Sequence, residues 1–273
     1  IGRGASSKVF LVLSESDGRL LAMKKVRLRG QDPHVVQSYR NETELLSRLA
    51  CHERIIRLVH VYEDVAAQTL YILLEYGEID LAHLLAKEER HGLLSMNFVR
   101  LYWEHMLLAV HALHEANVIH SDLKPANFLL VQGSLKLIDF GISKAIATDT
   151  TNIHRENQTG TINYMPPEAM TWVEGPAGTA SRRVTLGRAS DVWSLGCILY
   201  QMVFGRPPFA HIEPILTRLQ CIVNPQYRIN LTLPPTAAQS GGLDPLLRDV
   251  IERCLVHRAA DRATIPALLA HPF

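Results

Sequence analysis

Cysteine is scarce in this sequence, with four among 273 residues. These four cysteines are far apart, and no Cys-x-x-Cys pair occurs. The pattern argues against a disulfide framework and against a structural zinc site. It favours a reducing cytoplasmic or nuclear compartment. The cysteines are Cys51, Cys197, Cys221 and Cys254.

An excess of one charge is also missing. The sequence has 28 lysine and arginine residues and 27 aspartate and glutamate residues, for a formal net charge of +1. This balance indicates neither a nucleic-acid-binding surface nor a polybasic membrane patch, so we expect no direct nucleic-acid or membrane partner. A hydrophobic fraction of 47% is too high for a disordered chain. No repeat of fixed period occurs, which argues against a solenoid or a propeller.

Long apolar runs are absent as well. The longest, near 192–203, is interrupted by Ser194, Gly196 and Gln201. It is too short to span a bilayer and predicts a buried core helix. The chain begins at Ile1 with neither Met nor a secretory signal. We therefore expect an excised domain, truncated at its first strand, of a longer protein.

The order of the hydrophobic patterns predicts an α+β fold with two lobes. Short apolar or alternating runs at 9–13, 20–23 and 70–74 indicate strands, with a hairpin turn at Asp17-Gly18 between the first two. One helix is predicted over about 35–49, and helical spacing dominates after Gly77. These patterns predict a β-rich lobe over 1–76 and a mostly helical lobe over 77–273. Helices are expected over about 98–114, 189–204, 212–222, 243–255 and 264–270, with a surface loop over 171–188.

A glycine-rich turn opens the chain. Gly2 and Gly4 precede a strand that contains Val9. Because glycine has no Cβ, backbone amides in such a turn approach phosphate oxygens closely. The signal is weak by itself, since a tight hairpin without a ligand has the same pattern. Ser7 stands where a third glycine would complete G-x-G-x-x-G, and no Walker A sequence follows.

A lysine in the second strand needs a partner. Lys24 follows Ala22 and Met23 in an apolar strand, where an unpaired charge is costly. Glu42 and Glu44 on the following helix are the candidate carboxylates. Glu42 lies three, four and seven residues before leucines 45, 46 and 49 and shares their face, whereas Glu44 shares it less well. We therefore predict a Lys24–Glu42 pair that orients the α- and β-phosphates of a nucleotide.

Two later motifs contain side chains suited to proton transfer, charge stabilisation and metal binding. Residues 120–127 read HSDLKPAN, and residues 138–141 read IDFG. Asp122 is placed to accept a hydroxyl proton, and Lys124 to stabilise charge on a transferred phosphoryl group. Asn127 and Asp139 are oxygen ligands suited to Mg²⁺. The occurrence of both motifs in this order, after a glycine-rich turn and a strand lysine, is a strong signal.

These motifs resemble those of the eukaryotic protein kinase domain across nearly the whole chain. The resemblance implies transfer of the γ-phosphoryl group of ATP with Mg²⁺, and an activation segment over 139–168. It implies that the backbone of Glu75 and Gly77 binds adenine and that Asp80 reaches the ribose. It also implies that Val9, Ala22 and Leu129 enclose the base, that Leu74 lies behind them, and that Arg262 pairs with Glu168.

Several segments are similar to the monopolar-spindle family of mitotic checkpoint kinases. They are 38–42 (SYRNE), 79–81 (IDL), 120–128 (HSDLKPANF) and 160–169 (GTINYMPPEA). This similarity implies a dual-specificity kinase that phosphorylates mainly Ser and Thr and sometimes Tyr. It implies kinetochore proteins as partners and a cytoplasmic or nuclear location, with the kinetochore and spindle as sites in mitosis. Thr150, Thr151 and Thr161 become candidates for autophosphorylation.

One departure from the kinase pattern leaves alternatives open. Ser121 replaces the arginine that many kinases use to bind a phosphate on the activation segment. This departure indicates either a kinase-fold scaffold without catalysis or a constitutively ordered loop, or else activation by phosphorylation with other cationic partners. Among enzymes, the alternative is a Ser/Thr kinase of another signalling group. Because Lys24, Asp122, Asn127 and Asp139 are all present, the sequence favours catalysis.

Overall fold

The computed structural model describes residues 2–3, 7–88, 94–140, 162–170, 173–174, 180–181, 186–233 and 242–273. The chain divides into two compact units. The first comprises residues 1–81 and 127–151, and the second comprises residues 82–126 and 152–273. The lobe boundary near Gly77 and the activation segment over 139–168 stay predictions.

An antiparallel sheet forms most of the first unit. Its strands run β1-β2-β3-β5-β4 across the sheet. The predicted hairpin joins β2 to β3, where Gly18 has a φ of +68° and donates its N–H to the Ser14 carbonyl at 2.9 Å. Glycine suits this left-handed conformation because it has no Cβ. The strands are β1 (Gly2–Arg3), β2 (Ser7–Leu13), β3 (Leu20–Arg27), β4 (Leu58–Asp64) and β5 (Thr69–Glu75).

Helix α1 (Pro33–Arg48) packs on one face of this sheet. The side chain of Asp32 caps its first turn by accepting the His34 N–H at 2.8 Å, and Pro33 occupies the first helical position. Val36 and Tyr39 of the helix pack against a buried cluster on β3 and β5, formed by Val26, Leu28, Leu70 and Ile72. The predicted helix over 35–49 is therefore confirmed and begins slightly earlier because of its cap.

A second, three-stranded sheet lies beyond Gly77, where the sequence predicted mainly helices. Its strands are β6 (Ile79–Asp80), β7 (Phe128–Val131) and β8 (Ser134–Leu137), in the order β6-β7-β8. The turn between β7 and β8 has positive φ at both Gln132 and Gly133, as a two-residue hairpin requires. Strands of two to four residues are too short for alternation to be recognised in the sequence. Strand β4 was not predicted either.

Helices make up most of the second unit. Long helix α3 (Met96–Glu115) packs against α4 (Arg188–Phe204), which is buried along most of its length, as predicted for the apolar run near 192–203. The others are α2 (Leu81–Glu88), α5 (Ile215–Val223), α6 (Pro245–Cys254) and α7 (Ile265–Leu269). Together with the sheet-rich first unit, this arrangement confirms the α+β fold class.

Part of the predicted surface loop over 171–188 lies outside the described residues. In the part of this loop that is described, β9 (Val173–Glu174) pairs antiparallel with β10 (Ala180–Ser181). None of the helices in the described ranges combines the length and the apolar composition needed to cross a membrane.

The packing of α4 against α6 depends on Gly196. A Cβ added at this glycine would lie 2.5 Å from the Cβ of Cys254, an atom bonded directly to the helix backbone that no side-chain rotation can move. We expect Gly196→Ala to destabilise the second unit by about 1–3 kcal/mol because the helices must separate. This loss should outweigh the better helix propensity of alanine, about 1 kcal/mol. Urea unfolding followed by tryptophan fluorescence measures the change, and a variant as stable as the parent would contradict it.

Candidate active site

The structure pairs Lys24 with Glu42 in the first unit. The Lys24 Nζ donates to Glu42 Oε1 at 2.8 Å, and the two side chains are only 20% and 4% exposed. Helix α1 turns Glu42 inward together with Leu45 and Leu46, whereas Glu44 is exposed. The helical spacing therefore identified the correct partner for the lysine. The predicted role of this pair in phosphate binding stays a prediction.

A third charge, on Asp139, acts on this pair. Burial alone would lower the pKa of Lys24, but the carboxylates of Glu42 and Asp139 outweigh it and raise that pKa above its ordinary value. Burial raises the pKa of Glu42 despite the opposing charge of Lys24. The ammonium of Lys24 therefore stays protonated at neutral pH, as a group that binds phosphate must.

Strand register places Val9 and Ala22, two residues predicted to enclose the base, on the same face of the five-stranded sheet as Lys24. Lys24 lies directly opposite Val9 on β2, and Val9 lies opposite Gly2 on β1. Ala22 lies two residues from Lys24 on the same strand and opposite Leu74 on β5. Because residues that face each other across antiparallel strands share a side of the sheet, these side chains share one face. Gly4 lies outside the described residues.

The segment 75–80 is held against the β7–β8 hairpin, where Leu129 meets Gly77. A Cβ on Gly77 would lie 2.5 Å from the Leu129 side chain and 2.8 Å from the Leu130 carbonyl oxygen. Asp80 lies opposite Leu129 in the β6–β7 pair. The structure therefore brings together Gly77, Asp80 and Leu129, all predicted to contact the nucleoside.

The side chain of Glu75 is engaged in contacts within the protein. Its Oε1 accepts from Lys136 Nζ at 2.6 Å and from the Arg57 N–H at 2.8 Å. The backbone N–H of Glu75 donates to the Arg57 carbonyl at 3.0 Å. The side chain of Glu75 thus serves structure, and only its backbone carbonyl suits the predicted adenine contact. The sequence did not predict the partner Lys136.

Asn127 and Asp139 lie near each other because a backbone hydrogen bond links the segments that carry them. The Ile138 N–H donates to the Asn127 carbonyl at 2.9 Å, which places Asp139 one residue from this bond. The Asn127 side chain is buried. Within the described ranges, no group of three or more His, Cys, Asp or Glu side chains is placed to hold a metal ion. A site with one amide oxygen and one carboxylate fits Mg²⁺, which takes few protein ligands and completes its shell with water and phosphate oxygens.

Asp122 and Lys124 lie in the second unit, in the loop that precedes a 3₁₀ turn over Pro125–Asn127. The Lys124 Nζ donates to Asp122 Oδ2 at 3.1 Å, and the side chains are 24% and 12% exposed. The Asp122 N–H donates to Nδ1 of buried His120 at 3.2 Å. The carboxylate is therefore held beside a cation and stays partly open to solvent.

A buried carboxylate on α4 holds the backbone of this loop. Asp191 accepts the His120 N–H at 3.0 Å and the Ser121 N–H at 2.9 Å, and it lies 2.9 Å from His114 Nε2. Ser121 has a φ of +67°, a conformation that is strained for a non-glycine residue and persists only when its surroundings fix it. The sequence predicted the helix over 189–204 that carries Asp191, but it did not predict the contact with His114.

The predicted pair of Glu168 and Arg262 is also present in the second unit. Arg262 Nη1 and Nη2 donate to the two carboxylate oxygens at 2.7 Å each. The Ser190 hydroxyl donates to the same carboxylate at 2.8 Å. This bidentate pair fixes the end of the predicted activation segment. The three candidate phosphorylation sites, Thr150, Thr151 and Thr161, lie outside the described residues.

Comparison with known proteins finds protein kinases among the relatives of this chain. The chain is 48% identical over 283 residues to serine/threonine-protein kinase mph1 of Schizosaccharomyces pombe, covering 100% of the chain and 41% of the relative. It is 47% identical over 274 residues to the probable serine/threonine-protein kinase mps1 of Dictyostelium discoideum, covering 100% and 27%. It is 44% identical over 276 residues to dual specificity protein kinase TTK of Mus musculus, covering 100% and 30%.

The chain spans less than half the length of each of these relatives. The family described as protein kinase domain matches residues 1–273. This match covers the sheet that carries Lys24, the helix that carries Glu42 and the loop that carries Asp122. The chain therefore belongs to the protein kinase domain family.

Proposed function

We propose that this chain is the catalytic core of a protein kinase that transfers the γ-phosphoryl group of ATP to serine and threonine hydroxyls of proteins. The observation that carries the proposal is the buried ion pair between Lys24 and Glu42, with the Asp139 carboxylate acting on both. A buried lysine held charged by two carboxylates is suited to bind a triphosphate.

The first unit provides the nucleotide-binding groups. The ammonium of Lys24 binds the α- and β-phosphates, and Glu42 fixes its position. Gly2 and Gly4 allow backbone amides to approach the phosphates. Val9, Ala22 and Leu129 enclose the adenine, the backbone of Glu75 and Gly77 hydrogen-bonds to it, and Asp80 binds the ribose.

Members of this family use ATP and a divalent metal ion. We propose Mg²⁺ as that ion and Asn127 and Asp139 as the residues that hold it, because both offer an oxygen atom and their backbones are tied together. The ion, when bound, neutralises charge on the phosphate oxygens. The charge of Asp139 also acts on Lys24, so the same carboxylate would hold the ion and help to keep the lysine charged.

The second unit provides the groups that act on the acceptor. Asp122 orients the acceptor hydroxyl and takes its proton as the oxygen attacks the γ-phosphorus. The bond from this phosphorus to the bridging oxygen breaks, and ADP leaves. Lys124, which donates to Asp122, stabilises negative charge on the group in transfer.

Replacing Lys24 with methionine tests the proposal. Lys24→Met keeps the apolar stem and removes the charge, so we expect transfer of ³²P from labelled ATP to casein to fall by about 10²-fold or more. Lys25→Met is the matched control because Lys25 is the next residue on the same strand, points to the other face and is exposed. Its activity should stay within twofold of the parent.

Three results would contradict the proposal. Equal activity of the Lys24→Met and Lys25→Met variants would remove Lys24 from the site. Transfer that continues in excess EDTA would show that no divalent ion takes part. A parent chain that neither binds ATP nor transfers phosphate would identify a kinase-fold scaffold.

Dual specificity and a mitotic role complete the proposal. Mouse TTK is named a dual specificity kinase, which supports transfer to tyrosine as well. The resemblance to spindle-checkpoint kinases supports kinetochore proteins as substrates and partners, with action at kinetochores and the spindle. Autophosphorylation at Thr150, Thr151 and Thr161 is part of the proposal. Phosphoamino-acid analysis and mass spectrometry of the autophosphorylated chain measure the acceptor residues directly.

A further inference from the structure

We propose that Lys136 is a positioning residue for ATP, acting through Glu75; the inference rests on the function proposed above. Lys136 lies in β8, and its Nζ donates to Glu75 Oε1 at 2.6 Å. The two side chains are 15% and 14% exposed. Neither side chain has a role in the transfer itself, so the pair acts on the shape of the nucleotide site.

The partners lie on the two pieces of backbone that would enclose the adenine. Glu75 ends β5 and begins the segment whose backbone is proposed to hydrogen-bond to the base. Lys136 lies directly opposite Leu129, and Leu129 lies directly opposite Asp80. These three residues therefore share one face of the small sheet, and on that face the Leu129 side chain reaches Gly77.

Two neutral contacts already join these pieces of backbone. The Glu78 N–H donates to the Leu130 carbonyl at 2.8 Å, and Gly77 packs against Leu129 too tightly to admit a Cβ. Both contacts are made by residues on the C-terminal side of residue 76. The Lys136–Glu75 ion pair is made on its N-terminal side, so it fixes the end of the segment that carries the Glu75 carbonyl.

Loss of Lys136 would leave a carboxylate that is mostly buried and has no cation. Glu75 Oε1 would keep its bond from the Arg57 N–H, but one neutral donor compensates a buried carboxylate poorly. The side chain would turn toward water and draw the end of β5 with it. The Glu75 carbonyl would then move from the position that the adenine requires, whereas Lys24, Asp139 and Asp122 would be unaffected.

Lys136→Met is therefore expected to raise the KM for ATP about 10-fold, with kcat and the KM for the acceptor within twofold of the parent. Lys136→Arg restores a cation and should stay within threefold of the parent KM. Lys87→Met, at an exposed lysine of α2, is the matched control and should leave every parameter unchanged. A role in overall stability alone would not separate the KM for ATP from kcat in this way.

A double-mutant cycle tests whether Lys136 acts through Glu75. Glu75→Gln should raise the KM for ATP by a similar factor, and Lys136→Met should add less than twofold in that background. A KM for Lys136→Met equal to that of Lys87→Met would overturn the inference, as would additive effects in the cycle. If Lys136→Met does not fold, Glu75→Gln decides alone, and a parental KM for it overturns the inference.

Direct binding of a fluorescent ATP analogue separates this inference from the proposed function. A parent chain that binds the analogue without transferring phosphate would contradict the proposed catalysis, while the Kd values of the variants would still test Lys136. A parent chain that does not bind the analogue would overturn both.

Discussion

Replacement of Asp122 by asparagine is expected to lower phosphoryl transfer by about 10²–10⁴-fold, the usual contribution of a positioned general base. The amide has the size of the carboxylate and still accepts the hydrogen bond from Lys124, but it cannot accept the proton of the acceptor hydroxyl. Nucleotide affinity should stay within twofold, because the groups proposed to bind ATP lie in the first unit. Steady-state kinetics with casein and a direct ATP-binding measurement provide the two readouts.

Asp261→Asn is the matched control for this change. Asp261 is exposed and forms a surface pair with Arg258, so the same substitution there alters charge without touching the proposed site. Its activity should match that of the parent. Unchanged transfer by the Asp122→Asn variant would remove Asp122 from the mechanism and would support the alternative of a non-catalytic scaffold.

The part of the site that could be predicted from sequence is the part with a local pattern. Lys24 was recognisable because a charged residue interrupts an apolar strand. Glu42 followed from helical spacing, which places it on the face of Leu45 and Leu46 and leaves Glu44 outside. Asp122, Asn127 and Asp139 were recognised from the order of two short motifs. In each case neighbouring residues carried the information.

The contacts that hold those residues in place carry no such pattern. His114 and Asp191 are 77 positions apart, and Glu75 and Lys136 are 61 positions apart. Nothing in the sequence near either member indicates its partner, because tertiary packing alone brings them together. Strands β7 and β8 were missed for a related reason, since four residues are too few to show an alternation.

Removal of Arg262 from its pair with Glu168 is expected to cause a large loss of stability in the second unit, because it would leave the Glu168 carboxylate without its cation. The Arg262 side chain is fully buried, and each of its five N–H groups has an acceptor. Besides the two bonds to Glu168, it donates to three backbone carbonyls and stacks on Trp193 with 5.0 Å between the guanidinium carbon and the ring centre. The carbonyls are those of Ala189, Val256 and His257.

Arg262→Met should therefore destabilise the protein by about 3–5 kcal/mol, since removing one partner leaves a largely buried charge uncompensated. Arg258→Met is the matched control, because Arg258 is 78% exposed and pairs with Asp261 only at the surface. Its loss should cost at most about 0.5 kcal/mol. Urea unfolding monitored by tryptophan fluorescence compares the two, and equal midpoints would show that the buried pair contributes little.

The pH dependence of stability identifies the charge on Glu168 as the cause. Burial opposes its ionisation, but the bonds from Arg262 and Ser190 outweigh burial and hold the pKa of Glu168 below its ordinary value. Because the folded state lowers this pKa, the stabilisation is fully present above the ordinary glutamate value of about 4.3 and is lost as the pH falls through the lower, folded value.

Glu168→Gln, which carries no charge at any pH, should be clearly less stable than the parent at pH 7. The difference in free energy of unfolding between the two should shrink steadily below about pH 4. A difference that stays constant from pH 7 to pH 3 would assign the effect to packing of the side chain rather than to its charge.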